Sequence, residues 1–246
     1  MSSIRSSLPL AVVGLMCLFG CAVPEGVAPK APKEPIKVGA IFSVTGPASF
    51  LGGPEEKTVK MLVEEINAKG GVLGRPLEVV IRDSAGDSDK AVAFAKQLIE
   101  EDKVLAIMGP STSGESLKIK DICQKNETIL LSCAAAEVIV NPVLPYVFKT
   151  PQNDRFAGEK IFAKMKAMNL TKVAIMSGTD GFGKAGRDQL KAAAPKFGIA
   201  IVSDEAYDKD ATDLTAAVTK AKAAGAQAVV NWSIMPAQSI VPKNMK

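Results

Sequence analysis

The sequence predicts an α/β protein built from parallel sheets flanked by helices, and three observations carry that reading. Short apolar, β-branched runs recur along the chain, separated by segments whose apolar residues follow a helical period. Runs and helical segments alternate, the pattern of right-handed βαβ units. The alternation pauses near Lys149 to Asn153 and then resumes, so the elements fall into two blocks, each a candidate lobe.

In the first block, Ile36 to Phe42 is an apolar run bounded by turn residues and reads as a buried strand, ended by Thr45-Gly46-Pro47. From Thr58 to Lys69 the apolar positions Val59, Leu62, Val63 and Ile66 follow i, i+3, i+4, i+7, which predicts an amphipathic helix. Gly70-Gly71 supplies its stop. Leu77 to Ile81 is the second strand. Val92, Ala95, Leu98 and Ile99 mark the next helix, and Val104 to Met108 the third strand. Ser113 to Cys123 reads as helix and Thr128 to Leu131 as strand. The second block predicts a helix over Arg155 to Met168, a strand over Lys172 to Met176 and a helix over Lys184 to Lys196. A strand over Ile199 to Val202, a helix over Leu214 to Ala223 and a strand over Ala228 to Asn231 complete it. Two such lobes leave a cleft at the C-terminal ends of their strands, where open α/β sheets bind ligands.

Ahead of the first strand the chain reads as an address. Arg5 precedes an apolar stretch from Leu8 to Gly20. As a helix this stretch would measure roughly 20 Å, short of the hydrocarbon thickness of a bilayer, so residues 1–21 read as a signal peptide. Leu18-Phe19-Gly20-Cys21 resembles a bacterial lipobox, which implies cleavage before Cys21 and a lipid on its sulfur. Ordinary secretion with an incidental cysteine is the competing reading. Pro24, Pro29, Pro32 and Pro35 punctuate residues 22–35, an extended tether that at ~3 Å per residue holds a domain roughly 40 Å from a membrane.

Composition narrows the chemistry. The 246 residues carry 30 Lys and Arg against 26 Asp and Glu, with no long run of like charge, so nothing suggests a nucleic-acid partner. The absence of histidine removes Ser-His and Cys-His nucleophile pairs and the commonest zinc ligand. The expectation is a binding protein without cofactor or metal rather than an enzyme. Cys123 and Cys133 remain after export, either as a short-loop disulfide or as two unpaired, partly buried thiols.

Several segments resemble the Leu/Ile/Val-binding family of ABC-transporter receptors, which has the type I periplasmic-binding fold. The nearest is Glu64-Glu65-Ile66-Asn67-Ala68-Lys69-Gly70-Gly71-Val72-Leu73-Gly74-Arg75-Pro76-Leu77-Glu78-Val79, similar to the family's connection into its second strand. Thr45-Gly46-Pro47, Asp87-Ser88-Asp89-Lys90-Ala91, Gly109-Pro110-Ser111-Thr112-Ser113-Gly114 and Asp180-Gly181-Phe182-Gly183 resemble further loops of that family. The resemblance runs from about Ile36 to Trp232 and implies an N-terminal lobe at 36–150 and a C-terminal lobe at 151–246. Members of the family run well past this length, which implies that the second lobe is incomplete here.

The resemblance also implies a site. Ser111-Thr112-Ser113-Gly114 offers free N–H groups, a helix dipole and short hydroxyls to a carboxylate. Ser113 matches the serine that binds the ligand carboxylate, although Ser111 or Ser113 is also suited simply to capping the helix. Ala134 would offer its carbonyl to the ligand ammonium. Ala136 stands where the family usually has a threonine hydroxyl, and Glu137 either compensates or faces solvent. Phe182 matches an aromatic lid, Leu51 falls where Tyr is common, and Trp232 is placed to wall the cleft. Core packing is the competing role for all three. The site so drawn favours a branched-chain or otherwise hydrophobic amino acid, or a related small carboxylate. The implied partners are that solute, ABC permease subunits and the membrane through the lipid anchor, on the periplasmic or extracellular face of the bacterial membrane. A sensing receptor of the same fold is the alternative.

Gly181-Phe182-Gly183-Lys184-Ala185-Gly186 also fits the dinucleotide fingerprint Gly-x-Gly-x-x-Gly, with Asp204 near the end of the next strand. That motif carries the oxidoreductase alternative. It begins several residues after the strand, and the lobe-two loop accounts for the same glycines.

Overall fold

Five strands, Ile36–Phe42 (β1), Leu77–Asp83 (β2), Ala106–Met108 (β3), Ile129–Ser132 (β4) and Val147–Lys149 (β5), pair in the order β2-β1-β3-β4-β5. Every pairing is parallel, with Ile36 opposite Leu77 and Phe42 opposite Asp83 at the two ends of the longest ladder. A second parallel sheet consists of Lys172–Gly178 (β6), Ala200–Tyr207 (β7) and Ala228–Trp232 (β8), in the order β7-β6-β8. The computed structural model describes residues 34–246. The signal peptide, Cys21 and all but the last two residues of the tether lie outside the described residues.

The helices are Ser49–Ala68 (α1), Ser88–Glu100 (α2), Ser113–Lys125 (α3), Asp154–Ala167 (α4), Gly181–Ala193 (α5), Thr215–Ala223 (α6) and Ile240–Asn244 (α7). Among the described residues no helix is long and apolar enough to cross a membrane. Apolar residues on β1, β3, β4 and β5 pack against α2 and α3, so that Ile41, Ile107, Leu130 and Val147 meet Ala95, Leu98, Ile119 and Cys123. In the second sheet, β6 buries both faces. Val173 and Ile175 pack with Phe162, Leu190 and Trp232, while Ala174 and Met176 pack with Tyr207, Leu214 and Val241. A strand's side chains alternate between faces, so burial on both sides demands an unbroken apolar run, as in Val173 to Met176. Each such Val, Ile or Met contributes about 1.5–3 kcal/mol when fully withdrawn from water.

Some boundaries differ from the sequence expectation. Helix α1 begins at Ser49, nine residues before the expected Thr58, and runs through Gly52, Gly53 and Pro54. Glycine and proline disfavour a helix interior, yet Gly52 is required there because a Cβ would overlap the Ser43 backbone, and Thr58 Oγ1 donates to the Pro54 carbonyl at 2.8 Å. Strands β6 and β7 extend past their apolar runs, through Ser177-Gly178 and through Ser203 to Tyr207, since ladder hydrogen bonds do not end where side chains turn polar. The three-residue β5, lying after Pro142 and Pro145, was not expected at all. It leads into the crossover to the second sheet. There the half-buried Lys149 ammonium donates to the carbonyls of Ala135 (2.8 Å), Pro151 (3.2 Å) and Gln152 (3.1 Å), and its partial burial pulls its pKa down.

Candidate functional site

The loops at the C-terminal ends of β1, β3 and β4 are joined by short polar side chains that the sequence places at each strand end. Thr112 is the N-cap of α3: its Oγ1 accepts from the Glu115 N–H at 3.4 Å, and the Glu115 carboxylate accepts from the Thr112 N–H at 3.2 Å. This reciprocal box settles which residue caps the helix. It is Thr112 and not Ser111 or Ser113, because the Glu that completes the box lies three residues after Thr112. Ser113 is released for another role. It is buried, and its Oγ accepts from the Ala136 N–H at 3.3 Å, so the expected site residues Ser113 and Ala136 do meet. Ala134 is tied in beside them, its N–H donating to Ser132 Oγ at 3.1 Å, and Ser132 Oγ lies 2.7 Å from Ser116 Oγ.

Ser111 is also buried and belongs to a second chain of contacts. Its Oγ accepts from the Ser43 N–H at 3.0 Å and donates to the Glu55 carboxylate. Ser43 Oγ in turn donates to Glu115 Oε2 at 3.0 Å, the same oxygen that Thr112 Oγ1 reaches at 2.6 Å. Burial raises the pKa of Glu55 above the usual carboxylate range, with the neighbouring Glu115 charge acting in the same direction. Glu55 was missed in the sequence because it follows Gly-Gly-Pro and precedes the expected helix start at Thr58. Only the early start of α1 turns it toward Ser111.

Across from these loops stands the N-terminus of α5. Asp180 caps it, with Oδ1 accepting from the N–H groups of Phe182 (2.9 Å) and Gly183 (3.2 Å). The two helix N-termini meet at their glycines: a Cβ on Gly114 would lie 3.6 Å from the Gly181 amide nitrogen. Positive dipole ends from both sheets therefore converge on one region, which favours an anionic group. Phe182 stacks on Trp232, with ring centroids 5.3 Å apart, and both belong to the second sheet's apolar cluster. Leu51 lies half-buried in the first turn of α1. Glu137, one candidate for compensating the missing hydroxyl, is taken: Arg155 Nε donates to its Oε2 at 3.0 Å.

Two adjoining cavities open along the junction of the sheets. One, of about 280 Å³, is lined by Pro47, Ala48, Gly86 and Thr112 from the first sheet's loops and by Lys209 and Met235 from the second's. The other, of about 700 Å³, shares Gly86, Lys209 and Met235 and adds Thr179, Asp180 and Tyr207. Thr112 thus borders open space, whereas Ser113, Ala134 and Ala136 are buried behind it.

The glycines of the dinucleotide fingerprint all have packing duties. Gly181 touches Gly114, a Cβ on Gly183 would overlap the Gly178 carbonyl, and one on Gly186 would overlap the indole nitrogen of Trp232. Asp204 is paired with Arg187 (2.6 Å) and Lys191 (2.9 Å). Both cysteines are free thiols, and burial pushes Cys123 up to about 12 and Cys133 up to about 11.

Comparison with known proteins agrees with this architecture. The chain is 30% identical over 196 residues to Leu/Ile/Val-binding protein homolog 3 of Brucella melitensis, covering 79% of this chain and 53% of that protein. An extracellular ligand-binding receptor from Rhodopseudomonas palustris superposes with a TM-score of 0.79 at 29% identity, covering 87% of this chain and 58% of the receptor. The branched-chain amino acid transporter substrate-binding protein LivJ of Streptococcus pneumoniae, solved in complex with isoleucine, superposes with a TM-score of 0.71 at 28% identity, over 80% of this chain and 57% of LivJ. The chain spans about half the length of the curated relatives it matches. The periplasmic binding protein family model matches residues 35–240, and with the two parallel sheets and the cleft between them this establishes that the chain belongs to the periplasmic binding protein family.

Proposed function

We propose that this chain is the solute-receiving part of an extracytoplasmic receptor that delivers a branched-chain or other hydrophobic amino acid, or a related small carboxylate, to the permease of an ABC importer. The observation that carries the reading is the convergence of the α3 and α5 N-termini at Gly114 and Gly181, beside a cavity reached by Thr112. The N–H groups of Ser113, Gly114 and Gly181, which the two caps leave over, would complement a carboxylate, and Lys209 lines the same cavity. Phe182, partly exposed in the first turn of α5, would offer its ring to the apolar part of the solute, with the buried Trp232 stacked against it. Closure of the lobes at 36–150 and 151–246 around the solute would then hand a closed receptor to the permease. On this reading the protein binds and does not catalyse. Cys21 carries the lipid that retains it at the membrane after export, with residues 22–35 as tether. The names and bound ligand of the relatives, Leu/Ile/Val-binding proteins and LivJ with isoleucine, support the solute class.

A thermal-shift screen of amino acids and hydrophobic carboxylates on the complete, unlipidated protein tests this. A solute present at 100 times its Kd adds about 2.7 kcal/mol of stability. Melting that rises with one or a few branched or aromatic acids is the expected result. A panel in which none raises it would overturn the small-acid reading.

A further inference from the structure

Charge is divided unevenly along the chain. Residues 36–150 carry 13 Lys and Arg against 15 Asp and Glu, a net charge of −2, whereas residues 151–246 carry 14 against 9, a net charge of +5. Part of that excess stands on one helix. On α4, Phe156, Lys160, Ala163, Lys164 and Ala167 recur at i, i+4, i+7, i+8 and i+11, and all five are exposed, so they form one solvent-facing stripe. Lys160, Lys164 and Lys166 take part in none of the ion pairs among the described residues. The acids of the helix are engaged elsewhere: Asp154 is buried, and Glu159 is shared by Arg155 and Lys196. Lys164 and Lys166 suit the negative end of the helix dipole, but Lys160 stands a turn earlier and repels Lys164 across the i, i+4 spacing. A basic face without counter-charges of its own is stabilised by an anionic surface brought against it.

Exposed apolar surface adjoins this stripe. Phe156 is 48% exposed, with the Arg155 guanidinium 4.4 Å above its ring. It lines a groove of about 590 Å³ together with Val143 and Phe148, 84% and 49% exposed, from the β5 edge of the first sheet. Lysines beside exposed rings and aliphatic groups match a bilayer interface, where the apolar groups enter the headgroup layer and the ammonium groups meet phosphates. The sequence ahead of the body favours lipid over an acidic protein. Residues 1–35 read as an export signal, a lipid-bearing Cys21 and a tether of roughly 40 Å, which keeps the body within that reach of headgroups.

We propose that the outer face of α4, with the apolar rim of β5 beside it, docks on an anionic lipid bilayer and so fixes how the body lies on the membrane that its tether reaches. The inference goes beyond the solute reading and does not depend on it.

Vesicle co-sedimentation tests it, with a chain of residues 22–246 that keeps every described residue and lacks both the apolar stretch and the lipid. The vesicles are phosphatidylcholine alone, or equal parts phosphatidylcholine and phosphatidylglycerol. Binding is expected on the mixed vesicles and not on the neutral ones, with release as NaCl rises to about 0.5 M. Lys160→Gln with Lys164→Gln is expected to weaken binding about ten-fold or more, and Phe156→Ala about three-fold or more. Lys96→Gln with Lys118→Gln removes the same charge from exposed, unpaired positions among residues 36–150, and should stay within about two-fold. Equal losses from the two lysine pairs would reduce the attraction to net charge and overturn the proposal. Binding to neutral vesicles as strong as to mixed ones, or to neither, would overturn it too. Binding to soluble polyglutamate as tight as to the mixed vesicles would give the face to an acidic protein and overturn the lipid assignment.

Discussion

Two helical glycines should respond in opposite directions to the same substitution, and the difference isolates one packing contact. Gly53 lies inside α1 with nothing within 4 Å of the place a Cβ would occupy. Gly53→Ala should therefore gain only the helix-propensity and chain-entropy benefit, about 0.5–1 kcal/mol. Gly186 lies inside α5, where the same methyl would overlap Trp232 Nε1 and its ring neighbours. Gly186→Ala gains the same helix benefit but must displace an indole that is 8% exposed and stacked on Phe182 at 5.3 Å. Overpacking of this kind costs about 1–3 kcal/mol, and losing the aromatic pair adds about 0.5–1.5 kcal/mol. The helix terms cancel between the two variants, so urea melts should separate them by about 1.5–4.5 kcal/mol, with Gly186→Ala the less stable. Trp232 is the only tryptophan in the chain, so its emission reports the displacement directly and should shift to the red in Gly186→Ala alone. Equal stabilities, with unchanged emission, would refute the claim that the third fingerprint glycine exists to seat the indole.

Three further outcomes follow from named contacts. Thr112→Ala removes the α3 cap and one of the three donors to Glu115 Oε2, and should cost about 1–2 kcal/mol in a denaturant melt, whereas Ser113→Ala should leave the cap intact and orphan only the Ala136 N–H. Cys123 and Cys133, with thiols near 12 and 11, should resist alkylation at pH 8 in the native protein and react on unfolding, as mass spectrometry after iodoacetamide would show. Glu55 holds its proton more tightly folded than unfolded, so the native state binds more protons between the ordinary carboxylate range and the raised value. Stability should fall as pH rises through that window, and the slope should weaken in Glu55→Gln. Glu115 and Cys133 are the titratable groups that face it.

Much of the molecule was legible in the chain because its local rules agree. An unbroken apolar run such as Val173 to Met176 suits a strand buried on both faces, and the i, i+3, i+6, i+7 spacing of Val92, Ala95, Leu98 and Ile99 suits a helix lying on a sheet. The alternation of the two then dictated parallel pairing. Loop segments after strands showed where hydroxyls and free N–H groups would gather, while Ser113, Ala136 and Phe182 were named from the resemblance to a receptor family and Trp232 from its place after the last strand. What it left open was which of several suitable residues takes each part. Ser111, Thr112 and Ser113 each have a hydroxyl fit to cap α3, and the position of Glu115 three residues beyond Thr112 decided among them.

Other features had no local signal. Gly52-Gly53-Pro54 is a breaker by propensity, yet it is helical here, and at Gly52 only glycine fits against the backbone of Ser43, nine residues earlier. Glu55 meets Ser111 from the helical turn that follows. The role of the fingerprint glycines likewise depends on Trp232, nearly fifty residues on, and on Gly114 from the other sheet. Secondary structure and sheet class follow from periodicity, which each segment carries within itself. The partners of a carboxylate or a glycine are set by which loops the sheets bring together, and that is decided only when the chain is packed.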